Sequence, residues 1–121
     1  MERFINRKDI LINMEKSLFI EFMGDSPTIR ILDYLLTERE LDFSITDMAE
    51  NSRIGRATLY RIWDKLIENK IIIHTRDIGR AKLFKLNKEN PKIKKIIEID
   101  DMLMLDELKR RSEKQKVKVM A

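Results

Sequence analysis

The chain has 121 residues, 43% of them hydrophobic and 38% charged, with a formal net charge of +4. That apolar content excludes a disordered tail, and the length suits one small domain with extensions, near the size at which self-association adds stability. Cysteine is absent, which excludes disulfides and thiolate metal sites; the lone His74 cannot build a zinc site alone, so no metal or other cofactor is expected.

Residues 1–24 carry a weak helical pattern through Leu11, Met14, Leu18, Phe19, Phe22 and Met23, expected as an arm that can join a dimer seam. Asp25-Ser26-Pro27 is a helix start, with Ser26 as cap and Pro27 in the first turn. Ile29, Leu32, Leu35 and Leu36 then form the buried stripe of a scaffold helix ending near Glu40. Asp42-Phe43-Ser44 can add a short strand.

Ser44 followed by Asp47 marks the next helix, from Ile45, in which Ile45, Met48 and Ala49 share a face. Asn51 to Ile54 make a turn, and Gly55 opens another helix. Its apolar positions Leu59, Ile62, Trp63, Leu66 and Ile67 lie three and four apart and should face the core. The opposite side carries Ala57, Tyr60, Arg61 and Asp64, flanked by Arg56, Thr58 and Lys65. That set can read bases: arginine binds guanine bidentately, and the Thr and Ala methyls can touch thymine.

Past Asn69 and Lys70, the β-branched Ile71, Ile72 and Ile73 favour a strand continued by His74, Thr75 and Arg76. Asp77 to Arg80 supply a turn, and Ala81 to Asn87 return as the second arm of a hairpin. Arg76, Arg80 and Lys82 make its tip basic, which suits phosphates or a minor groove.

Pro91 opens a last helix, expected to end near Arg111. Its apolar residues wrap more surface than packing on one domain requires, which points to a two-fold dimer through Ile93, Ile96, Ile97, Ile99, Leu103, Met104 and Leu108, with Met102 and Leu105 adding to the surplus. Residues 112–121, rich in lysine, read as a basic flexible tail.

The expected fold is mainly α with a small antiparallel β-sheet: a winged helix-turn-helix over 25–90, an N-terminal arm over 1–24, and a C-terminal dimerisation helix over 91–111. The runs Ile45-Thr46-Asp47-Met48-Ala49, Gly55-Arg56-Ala57-Thr58-Leu59-Tyr60-Arg61, Lys65 to Ile72 and Gly79 to Phe84 resemble the small winged-helix transcriptional regulators of bacteria and archaea, of the ArsR and MarR kind. The resemblance covers Ser26 to Asn87. Family members usually carry Gly where this chain has Lys70, at the left-handed turn into the wing; Asn69 is a residue that could adopt that turn.

Charge is distributed unevenly. Between Arg53 and Lys88 ten Lys or Arg oppose three acids, a local +7, which leaves −3 for the rest. This is the footprint of a double-stranded DNA partner. The candidate contact set is Ser44, Thr46, Arg53, Arg56, Ala57, Thr58, Tyr60, Arg61, Lys65, Arg76, Arg80 and Lys82. The reading is a homodimeric, sequence-specific DNA-binding regulator of transcription. A plasmid or viral replication, partition or architectural protein, or a winged-helix adaptor for other proteins, are the alternatives.

Catalytic constellations are absent from the sequence, so no enzyme is expected. Asp100-Asp101 and Asp106-Glu107 read as a solvated helix face, since adjacent helical residues diverge by about 100°. Tyr34 and Trp63 read as core residues. No polar group inside an apolar stretch marks an effector pocket. No apolar run approaches the ~20 residues that span a bilayer, and no signal-peptide core is seen, so a cytoplasmic protein without membrane contact is expected.

Overall fold

The computed structural model describes residues 6–12 and 14–120, with side chains as far as Val117. Two short helices open it, α1 (Arg7–Leu11) and α2 (Leu18–Met23), followed by α3 (Pro27–Thr37), α4 (Ile45–Asn51) and α5 (Arg56–Glu68). A hairpin of β1 (Ile72–Ile78) and β2 (Ala81–Leu86) precedes the long α6 (Pro91–Met120). Mainly helical with one two-stranded antiparallel sheet, the fold agrees with the expected class.

Local capping explains the helix starts. Hydroxyls of Ser17, Ser26 and Ser44 accept from the backbone N–H groups of Ile20, Ile29 and Asp47, satisfying donors that a helix leaves unpaired. Asn90 caps α6 by accepting from the Lys92 N–H. Gly55, by contrast, starts α5 with no side-chain cap bond. The N-terminal stretch is two helices rather than one, because Ser17 starts a fresh helix six residues after α1 ends.

The core gathers Phe19 from α2, Ile31, Leu32, Leu35 and Leu36 from α3, Met48 and Ala49 from α4, Leu59 and Leu66 from α5, and Ile72, Phe84, Leu86 and Ile93. Trp63 meets Phe84 edge-on, with ring centroids 4.8 Å apart, and Tyr34 tilts over Phe43 at 4.9 Å, so both candidate aromatics are anchored as core residues. Ile67 departs from its expected place and is exposed, because a helix of 13 residues buries only one stripe.

Phe43 pairs with Phe84 through reciprocal backbone hydrogen bonds of 2.8 Å, so the expected short strand is reduced to a single bridge beside the hairpin. Within the hairpin the register runs from Ile72 opposite Leu86 to Ile78 opposite Ala81, with a bulge at Thr75. Lys70, not Asn69, adopts the left-handed conformation after α5, at φ 53°. Asn69 instead donates its side-chain amide back to the Lys65 carbonyl, which holds it in the right-handed turn and shifts the reversal one residue on.

Two expectations for α6 are revised. The helix continues past Arg111 to Met120, since Ser112 to Met120 contain neither Gly nor Pro to stop it. Of the four acids expected on a solvated face, Asp101 and Asp106 are exposed, but Asp100 is fully buried and Glu107 nearly so. Arg7 donates from Nε to both Asp100 oxygens, at 3.0 and 3.1 Å, and from its other nitrogens to Asp33 and Thr37. Arg39 reaches Asp100 at 3.0 Å and Asp101 at 3.1 Å. This network ties α1, the end of α3 and the middle of α6 into one unit, against which α2 also packs. No helix among the described residues is long and apolar enough to cross a membrane.

Candidate nucleic-acid interface

The outer face of α5 is built by subtraction. Leu59 and Leu66 point inward and are buried, with Ile62 and Trp63 half-buried beside them. At 3.6 residues per turn this leaves Arg56, Ala57, Tyr60, Arg61, Asp64 and Lys65 outside, and all six are exposed. Thr58 is half-buried at the edge.

These side chains organise one another. Arg56 donates to the Tyr60 hydroxyl at 3.3 Å, with its guanidinium carbon 5.9 Å from the ring centroid. Arg61 donates to the Thr58 hydroxyl at 3.2 Å. Neither arginine, nor Lys65, has an acidic partner among the described residues. A net cationic, hydrogen-bonding helix face is thus left open, aimed by a buried stripe, with Asp64 its one acid and no ion pair to it among the described residues.

Upstream, the corner that presents α5 is fixed by Arg53, which has φ 57°. Its carbonyl accepts from Arg30 at 2.9 Å, and Arg30 is itself held bidentately by Asp25. The Asp25 carboxyl lies below the usual carboxylate range because Arg30 hydrogen-bonds to it. Ser44 spends its hydroxyl on the α4 cap and Thr46 is half-buried in the first turn, so neither is as open as the α5 set.

The wing divides into two parts. At its turn, Gly79 at φ 60° supports a tight reversal between Ile78 and Ala81. Arg80 and Lys82 project there, exposed and without an acidic partner among the described residues. Arg76 differs. Its Nε and one terminal nitrogen donate to Asp42 at 3.0 and 3.2 Å, and the Thr75 hydroxyl reaches the same carboxylate at 2.6 Å. Arg76 and Thr75 both hydrogen-bond to the Asp42 carboxyl and hold it below its ordinary range, while Asp42 raises Arg76. Arg76 therefore enters the candidate set already partnered, and Asp42 is the functional neighbour that sequence reasoning missed. His74 lies against Asp77 at 2.6 Å and against the Phe84 ring, as a strand residue.

The α6 set also divides. Ile93 and Met104 are buried inside their own protomer, and Ile96, Ile97 and Leu103 pack on the same core. Burial removes Ile93 and Met104 from any seam between copies. The open apolar residues of α6 are Ile99, Met102, Leu105 and, towards its end, Val117, with Leu108 half-buried; on α2, Phe22 and Met23 are open as well.

No protein-family model and no curated protein matches the sequence. Solved structures do match in fold. NadR in complex with 4-hydroxyphenylacetate superposes with a TM-score of 0.59 at 17% identity, over 99% of this chain and 90% of its own. MepR, a transcription regulator of the Staphylococcus aureus multidrug efflux pump MepA, gives 0.55 at 20% identity over 79% of this chain and 68% of its own. Lactococcus lactis ZitR gives 0.50 at 18% identity over 84% and 74%. The chain shares the winged-helix fold with these structures.

Proposed function

We propose that the protein is a homodimeric, sequence-specific double-stranded DNA-binding regulator of transcription. The observation that carries the reading is the outer face of α5, where Arg56, oriented by Tyr60, and Arg61, oriented by Thr58, are exposed and in no ion pair among the described residues, next to a wing whose Arg80 and Lys82 are exposed and likewise in no ion pair. In this reading α5 lies in the major groove and the wing tip on the backbone or in the minor groove. Fold likeness to MepR, a transcription regulator, supports the same purpose.

Dimerisation rests on Ile99, Met102 and Leu105 of α6, which are more than a third exposed and would form an unpartnered apolar strip on an isolated protomer. Two copies related by a two-fold axis would place two α5 helices on half-sites about 10 bp apart. Titration of duplex DNA with the purified chain at graded salt tests the function. Specific binding predicts a steep fall of affinity with salt together with preference for one sequence. Absence of duplex binding at low salt would overturn it in favour of a protein-interaction adaptor.

A further inference from the structure

Asp42 is the only acid that hydrogen-bonds into the basic wing from outside it among the described residues, and it does so at the bulge. Thr75 is the residue skipped by the β1–β2 register, and its hydroxyl and the Arg76 guanidinium converge on one carboxylate. Backbone hydrogen bonds from the next residue, Phe43, to Phe84 hold Asp42 in place. The side chain of Asp42 is 17% exposed whereas that of Arg76 is 63% exposed, so the acid is seated and the cation is open on its outer side. A planar guanidinium offers paired donors that match carboxylate and phosphate alike. Asp42 takes one such edge with its two carboxylate oxygens, as a phosphate oxygen pair can.

We propose that Asp42 is an internal phosphate mimic that masks Arg76 in the free protein, so that the wing binds DNA with one cation fewer than its composition offers. The inference rests on the DNA-binding reading and adds a restraint to it. The carboxylate has two consequences: it cancels the Arg76 charge at contact distance, and it takes the Nε edge of the guanidinium, so that a backbone phosphate meets only the outer edge unless Asp42 is displaced. Arg80 and Lys82 lack such a partner and act without this restraint.

The test is a double-mutant cycle read by duplex binding across a series of KCl concentrations, using the full chain. Asp42→Asn removes the charge yet keeps an oxygen able to accept from Thr75, so the bulge retains its tie. Masking predicts that Asp42→Asn binds duplex several-fold more tightly and that its log K against log salt slope steepens by about 0.9, the signature of one added phosphate contact. In an Arg76→Ala background the same change should have little effect, since a general loss of negative charge would act equally in both backgrounds. Equal gains in the two backgrounds, no gain, or weaker binding by Asp42→Asn would each overturn the mask; weaker binding would make Asp42 a prop for the wing. Retention on heparin, which needs only a polyanion, separates the two claims. No duplex binding by any variant, with Asp42→Asn eluting later than wild type only when Arg76 is present, would reject the DNA reading and keep the mask; unchanged elution would overturn the mask too.

Discussion

Replacing Arg7 with methionine should destabilise the protein through Asp100, 93 residues away in the chain. Asp100 is fully buried, and the Arg7 side chain is 7% exposed. Removing one partner of a buried ion pair costs ~3–5 kcal/mol, because the other charge is left uncompensated. Arg39 still reaches Asp100 at 3.0 Å from a partly solvated position, which places the expected cost at the lower end, about 3 kcal/mol. A chain of 121 residues unfolds with an entropy of roughly 0.25 kcal/mol/K, so Tm should fall by about 12 °C. Replacing both partners, Arg7→Met with Asp100→Leu, removes the fully buried stranded charge and should recover stability to within about 1 kcal/mol of wild type, with Asp33, 19% exposed, left to solvent and Arg39 keeping Asp101 and the Leu36 carbonyl. Urea unfolding followed by circular dichroism, at one fixed protein concentration so that self-association is held constant, measures wild type, Arg7→Met, Asp100→Leu and the double variant. A loss below about 1 kcal/mol for Arg7→Met, or additive losses in the double variant, would refute the network as the tie between α1 and α6.

Glu107 supplies a pH prediction. Hydrogen bonds from Arg110 and then Arg111, at 2.5 to 3.0 Å, lower its carboxyl from 4.5 to about 2. A folded-state pKa below the unfolded one contributes stability that is present above pH 4.5 and is lost as pH falls through about 2. Glu107→Gln should therefore flatten the acid limb of the stability curve in that window, and an unchanged limb would contradict the pairing. Lys70 sits at φ 53°, a region that disfavours residues with a Cβ, so Lys70→Gly should raise stability by about 0.5–1 kcal/mol in the same urea assay. On DNA, Arg61→Ala should cost ~1–3 kcal/mol against the preferred base at one position, while Arg80→Ala should weaken all sequences and flatten the salt slope; equal effects of both on preferred and random duplexes would remove that division.

The contrast between these residues shows which parts of the molecule local chemistry can reveal. Ser26, Pro27, Ser44 and Pro91 lie within a few residues of what they control, and the helices they start are legible from spacing alone. Leu59, Leu66, Tyr60 and Arg61 sort correctly into inner and outer faces because a helix imposes its period on any sequence that adopts it. The Arg7–Asp100 pair has no local signature: adjacent carboxylates on a helix read as solvated until a distant arginine is folded against them. Arg76 was legible as a wing cation and illegible as a partnered one, since Asp42 lies 34 residues away. Ile93 and Ile99 both read as surplus apolar surface on α6, yet only tertiary packing shows that the first is 1% exposed and the second 37%. Lys70 shows the same limit at short range, where the Asn69 amide bond to Lys65 outweighs the ordinary preference of asparagine for the left-handed turn.

Selection of bound sequences from a random duplex pool tests the central claim most directly. Major-groove reading by two α5 helices predicts enrichment of one inverted repeat whose half-site centres lie about 10 bp apart. Replacing Arg61 with Ala should leave the repeat recoverable but relax the base selected at one position of each half-site. A pool that binds without enriching any sequence, or that is not retained at all, would contradict the claim.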